Sequence, residues 1–209
     1  NCSCLLSQGF EHINFALDYS SVWSNRDLEI YKSQFIKILQ LYYKQIVQND
    51  KVCIDFVDYI ILNALGKVKI VCNYGFGSFA VSASGYVFPC HREVLDTAWN
   101  EGTSLDEFIL NGLNKKHRCS EVQDVICRKC DLYSRCSICM VNLKKMGGSL
   151  KYIPELICSI NKIHILETDK MLKKLYDNHR KQFRDKYQPL KIADGINKGD
   201  YYEKTSKKI

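Results

Sequence analysis

The chain has 209 residues, 46% of them hydrophobic, and a formal net charge of +7. That apolar share excludes a disordered chain and suffices for one large domain or two small ones, while the lack of any apolar run of about 18 residues argues against a membrane-spanning helix. The basic excess is a property of the tail, where Lys162 to Ile209 holds 13 Lys and Arg against 7 Asp and Glu, a bias that reads as a solvated helix face rather than a nucleic-acid surface.

The N-terminus lacks the charged, apolar and small-residue regions of a secretion signal, and because it begins at Asn1 rather than Met it reads as part of a longer protein. From Gly9 to Tyr19, Ile13, Phe15 and Leu17 alternate with His12, Asn14 and Ala16, which predicts a strand. Ser24 or Asn25 can then cap a helix with Asp27 and Glu29 at its positive end. Leu28, Tyr31, Phe35, Ile38, Tyr42 and Ile46 recur along it at helical spacing. A strand followed by a long amphipathic helix is one β/α unit, which cannot bury both faces alone and implies further units.

Ile54 to Leu65 predicts a second, shorter helix, and Val68 to Val71 a short strand reaching Cys72. Phe79 to Val81 and Tyr86 to Phe88 flank Ser82-Ala83-Ser84-Gly85, whose composition predicts a hairpin ending at Pro89-Cys90. Ser104 can cap a helix to Leu113, and Lys115 to Met140 is loop-rich with few apolar residues, a segment expected to need a metal to fold. From Pro154 a helical pattern runs to about Tyr187, and the glycines and lysines beyond it predict a disordered end.

Eleven cysteines would suit a disulfide scaffold in a short secreted domain, but here four of them, Cys127, Cys130, Cys136 and Cys139, sit within thirteen residues. Two cysteines separated by two residues can aim both sulfurs at one metal. Zinc ribbons separate such pairs by about 15 to 20 residues, whereas five residues separate Cys130 from Cys136. The short link favours three ligands on one site with the fourth cysteine aimed elsewhere. Clustered thiolates of this kind imply a reducing compartment, so the expected location is the cytoplasm. Thiolate ligation suits iron–sulfur clusters and zinc alike. Seven well-placed cysteines exceed one zinc site and favour iron–sulfur. The alternative is a structural zinc module whose basic tail binds nucleic acid or an acidic partner.

The order Cys72, twelve residues, Gly85, four residues, Cys90, a gap, Cys127-x2-Cys130-x5-Cys136-x2-Cys139, a gap and Cys158 resembles the SPASM domain, the auxiliary-cluster extension of radical SAM enzymes that modify peptides or proteins. Three residues are more usual in that family where two stand between Cys136 and Cys139. The resemblance covers Cys72 to Cys158 and implies an α/β fold: the end of a partial (β/α) barrel over residues 1–66, then a small α+β SPASM domain over 67–160 with a β-hairpin. A C-terminal helix over 161–188 and a flexible basic tail over 189–209 follow. It also implies two 4Fe-4S clusters, the first on Cys72, Cys90 and Cys139 with Cys119 a candidate fourth ligand, the second on Cys127, Cys130, Cys136 and Cys158. The clusters would serve electron transfer or substrate binding. A peptide or protein substrate and an electron donor such as ferredoxin or flavodoxin are the implied partners, with neither membrane nor nucleic acid among them. No three cysteines here have the C-x3-C-x2-C spacing of the family's SAM-binding cluster. S-adenosylmethionine is therefore expected only in the full-length enzyme, and this chain is expected to be inactive alone.

Other residues read as follows. Cys2 and Cys4 are expected to be ordinary thiols and Cys53 a core residue. His91 and Arg92, directly after Cys90, could donate to cluster sulfur. His12, His117, His164 and His179 read as surface or packing residues. Tyr86, Phe88 and Trp99 are expected to shield the clusters from water. Asp18 and Tyr19 would close a barrel strand on its carboxyl side, where barrel active sites form.

Overall fold

The computed structural model describes residues 2–19, 21–67, 72, 74, 79–94, 102–111 and 124–187. Over these the protein is a mixed α/β structure, mostly helical, with two small sheets. None of the described helices is long and apolar enough to cross a membrane.

A short helix α1 (Cys2–Ser7) leads to β1 (His12–Ile13), which pairs in parallel with β2 (Cys53–Ile54). The alternation over Gly9–Tyr19 therefore yields two strand residues rather than a full strand. The reason is partnership: β2 offers a two-residue ladder, and residues 14–19 continue outside any sheet. Between the strands runs α2 (Asn25–Val47). Ser24 caps it in a full capping box: its hydroxyl accepts from Asp27 N, and the Asp27 carboxylate accepts from Ser24 N. Its inward stripe of Phe35, Leu39, Tyr42 and Ile46 is buried, each side chain contributing about 1.5–3 kcal/mol relative to exposure. The next helix, α3 (Asp55–Ala64), follows β2 directly.

A hairpin of β3 (Ala80–Val81) and β4 (Tyr86–Phe88) pairs Ala80 with Phe88 and Val81 with Val87, and Gly85 takes φ +81° at its turn, a conformation that favours glycine. The third strand β5 (Thr103–Ser104) was not evident from the sequence; it pairs with β4 and leads into α4 (Leu105–Asn111), capped by the Ser104 hydroxyl on Glu107 N. Beyond it lie α5 (Val125–Arg128), a 3-10 turn over Tyr133–Arg135, α6 (Met140–Lys145), α7 (Glu155–Asn178) and α8 (Arg180–Tyr187). Where the sequence pattern suggested one helix to Tyr187, His179 leaves the helical region (φ −140°, ψ 53°) and breaks it. The bend lets Phe183 and Tyr187 enter the core built by α2, α3 and α7.

Asp58 ties that core together: its carboxylate accepts from the hydroxyls of Tyr42 and Tyr187 and from Ile54 N. A second, smaller core of Tyr74, Met140, Val141, Leu143 and Ile157 forms around α6 and the start of α7. Gly148 permits its close packing, since a Cβ there would fall 2.5 Å from Leu143 Cδ1 and 2.6 Å from Pro154 Cδ. Helix α7 carries both Ile157 of the small core and Leu172 and Leu175 of the large one, so the expected division between residues 160 and 161 falls inside a continuous helix. The expected strand at Val68–Val71, Cys119, Trp99, His117 and the tail over 189–209 lie outside the described residues.

Candidate metal centre

The ten described cysteines are thiols, and seven of them fall into two neighbourhoods. Cys72, Cys90 and Cys139 all pack against the small core of Tyr74, Met140 and Leu143. Burial pushes the Cys90 thiol above its usual range, and the nearby charges of Cys139, Glu93 and Cys72 push the same way. The three come from distant parts of the chain: Cys72 precedes the hairpin, Cys90 follows β4, and Cys139 is the N-cap of α6.

A buried polar network holds those three segments in register. Tyr74, two residues after Cys72, donates its hydroxyl to Glu93 Oε1 at 2.7 Å. Glu93, three residues after Cys90, is only 2% exposed. Lys144, five residues after Cys139, donates to Tyr74 Oη at 2.5 Å and lies 3.4 Å from Glu93 Oε1. Each thiol-bearing segment thus supplies one member of the network. A carboxylate this deeply buried is tolerated only when paired. No local spacing announces these three residues, because they meet only across the fold.

Cys127, Cys130, Cys136 and Cys158 form the other neighbourhood. Successive three-residue turns link Cys130 N to Cys127 O (3.1 Å), Tyr133 N to Cys130 O (3.0 Å) and Cys136 N to Tyr133 O (3.2 Å). Turns of that period stack side chains at i and i+3, which puts Cys127, Cys130 and Cys136 on one side of the loop. Cys158 comes from the first turns of α7. Burial foremost, then the charges of Cys127, Cys158 and Cys130, raise the Cys136 thiol to about 12. Cys127 is raised by burial and by Asp124, Cys158 and Cys130, with Lys162 opposing.

Two tethers clamp this loop to the segment bearing Cys158. Asp124 Oδ1 accepts from Ile126 N (2.8 Å) and Cys127 N (3.2 Å), and its Oδ2 accepts from Ile153 N (3.2 Å). Those backbone donors hold the Asp124 carboxyl below its usual range. Arg135 donates to both Asp169 oxygens at 2.7 Å, reaching α7 three turns beyond Cys158. Among the described residues, no three or more His, Cys, Asp or Glu side chains converge on a single metal-ion position.

Arg92 donates to Cys139 Sγ at 3.4 Å, and His91 Nδ1 lies 4.0 Å from Cys90 Sγ. Cys2 is buried in the large core, Cys4 is exposed, and Cys53 lies half-buried on β2. Tyr86, expected to shield the site, is 48% exposed: on the short hairpin it takes the outward side while Val87 turns inward. Tyr74, 3% exposed, and Tyr19 are aromatics of the small core against which Cys72, Cys90 and Cys139 pack. His12 and Asp55 make an exposed 3.8 Å contact, and His179 packs edge-on to Tyr43. His164 is buried among Tyr31, Phe35 and Phe56, shares a hydrogen bond between its Nε2 and the Tyr31 hydroxyl, and burial lowers its pKa to about 4.

A partly open cavity of ≈ 430 Å³ joins the two halves, walled by the segment after β1, by α2, α3 and α7, and by Arg92, Cys139 and Asn142. Tyr19 lines it beside Cys139. Burial raises the Tyr19 phenol to about 12, Cys139 adds to the shift, Arg92 opposes it, and Cys136 adds a smaller effect. Asp18 accepts from the Ser21 hydroxyl at 2.6 Å, and its carbonyl accepts from Trp23 Nε1. Comparison with known protein families, curated proteins and solved structures finds no match to this chain.

Proposed function

We propose that this chain is the iron–sulfur-carrying C-terminal region of a radical SAM enzyme of the SPASM type, acting on a peptide or protein. The observation that carries the reading is the parting of Cys139 from its loop neighbours. It sits in a 127–139 run of four cysteines, yet it packs with Cys72 and Cys90, while Cys127, Cys130 and Cys136 group with Cys158.

The donor sets suit the group. Four thiols would hold a second cluster and three a first, each sulfur binding a different iron of a 4Fe-4S cluster. When bound, such clusters supply one-electron transfer or a site for substrate. Arg92, donating to Cys139 Sγ, offsets negative charge on that thiolate, and the apolar side chains of Met140, Leu143 and Ile157 keep water from the first set. Lys162 does the same electrostatic service for Cys127. Radical generation belongs to an S-adenosylmethionine site outside this chain, fed by a donor such as ferredoxin or flavodoxin, and the substrate would enter the cavity beside Cys139.

Anaerobic reconstitution with iron and sulfide is the test. The expected product is brown, bleaches with dithionite and holds about eight iron and eight labile sulfide per chain. Two equivalents of zinc with no labile sulfide would sink the proposal.

A further inference from the structure

Asn142 stands one helical turn beyond Cys139 on α6, lines the cavity and is only 6% exposed. Its carboxamide makes no hydrogen bond to the described residues. The amide therefore opens onto the cavity and is free to exchange bonds with water there for bonds to a ligand that enters. Asn161, on the facing turn of α7, donates Nδ2 to Ile157 O at 3.0 Å, which leaves its carboxamide oxygen to accept from a ligand. Most of the rest of the wall is apolar or aromatic, with Leu17, Phe56 and Ile165 among it, and Asn14, Ser137 and His164 add polar groups. Among the described residues no Asp or Glu lines the cavity, whereas Arg92 and Arg135 both do.

We infer that this cavity is a subsite for an uncharged apolar or aromatic residue of a peptide, whose flanking amides are read by Asn142 and Asn161. A peptide unit presents one donor and one acceptor, the complement of what a carboxamide presents. Arg135 is neutralised by Asp169, but Arg92 meets the thiol of Cys139 rather than a carboxylate, and that cation on an otherwise mostly apolar wall disfavours a Lys or Arg residue there. The size fits, since ligand cavities run from about 300 to 1,000 Å³. Peptide as substrate class rests on the proposed function; the selectivity and the role of Asn142 rest on the cavity itself.

The test titrates the full chain, before and after iron–sulfur reconstitution, with acetyl-Gly-Phe-Gly-amide and acetyl-Gly-Lys-Gly-amide, following ligand-observed NMR. The Phe peptide should bind at least roughly 10-fold tighter than the Lys peptide. Asn142→Leu and Asn142→Ala should each weaken it by roughly 10-fold, the loss expected for unmade hydrogen bonds. Equal binding of the two peptides overturns the inference. So does unchanged Phe-peptide binding in both variants. A chain that selects the Phe peptide but takes up no iron and sulfide sinks the cluster reading and leaves this subsite standing. One that holds about eight iron yet shows no peptide preference does the reverse.

Discussion

Arg135 and Asp169 meet through two parallel hydrogen bonds of 2.7 Å each, which pin the loop between Cys130 and Cys136 to the middle of α7. Their side chains are 17% and 18% exposed, so the pair is sheltered enough to outweigh an ordinary surface ion pair. Removing one partner with Arg135→Ala should cost about 2 kcal/mol in urea unfolding and speed alkylation of Cys136 in the metal-free chain. Equal stability and equal labelling would show that the clamp is not needed.

Asp124 makes the companion tether. Asp124→Ala removes acceptors from Ile126 N, Cys127 N and Ile153 N at once. Hydrogen exchange at those three amides should accelerate together, and the reconstituted variant should hold less iron than its parent. Acceleration at Ile126 alone would reduce Asp124 to a helix cap.

His164 predicts an acid-sensitive fold. Burial lowers its pKa to about 4, below the 6.5 of an exposed histidine, so below 6.5 the unfolded chain binds the proton more readily. The stabilisation is complete above pH 6.5 and is lost as pH falls toward 4, amounting to about 3 kcal/mol over that window. Chemical denaturation at pH 7 and pH 4.5 should show a smaller loss for His164→Gln, which keeps an acceptor for Tyr31 but does not titrate. Parallel losses in both proteins would assign the effect to other groups.

The grouping of thiols makes a non-additive forecast. Cys72→Ala, Cys90→Ala and Cys139→Ala should each leave about four iron per chain, and the double variant Cys72→Ala/Cys139→Ala should lose no more than either single one. Cys158→Ala combined with Cys139→Ala should lose nearly all. If Cys139→Ala and Cys127→Ala instead remove the same iron, the loop serves one centre.

Much of the local structure was legible in the residues. The Ser24 cap and the stripe from Leu28 to Ile46 foretold α2, and Ser82 to Gly85 foretold the hairpin, because capping and turn chemistry act over three or four residues. The three-residue turns from Cys127 to Cys136 likewise follow from short spacing. Tertiary structure alone decided the rest. The Tyr74–Glu93–Lys144 network, the Arg135–Asp169 clamp, the placing of Asn142 on the cavity wall and the break at His179 each depend on groups that the chain brings together only when the cores close. For Cys139 the short link already aimed the thiol away from its loop neighbours, and packing supplies the small core of Tyr74, Met140 and Leu143 against which it, Cys72 and Cys90 lie. Sequence period reports which face of an element is apolar; which distant polar groups will share that interior is settled by packing, because burial makes partners obligatory without encoding them locally.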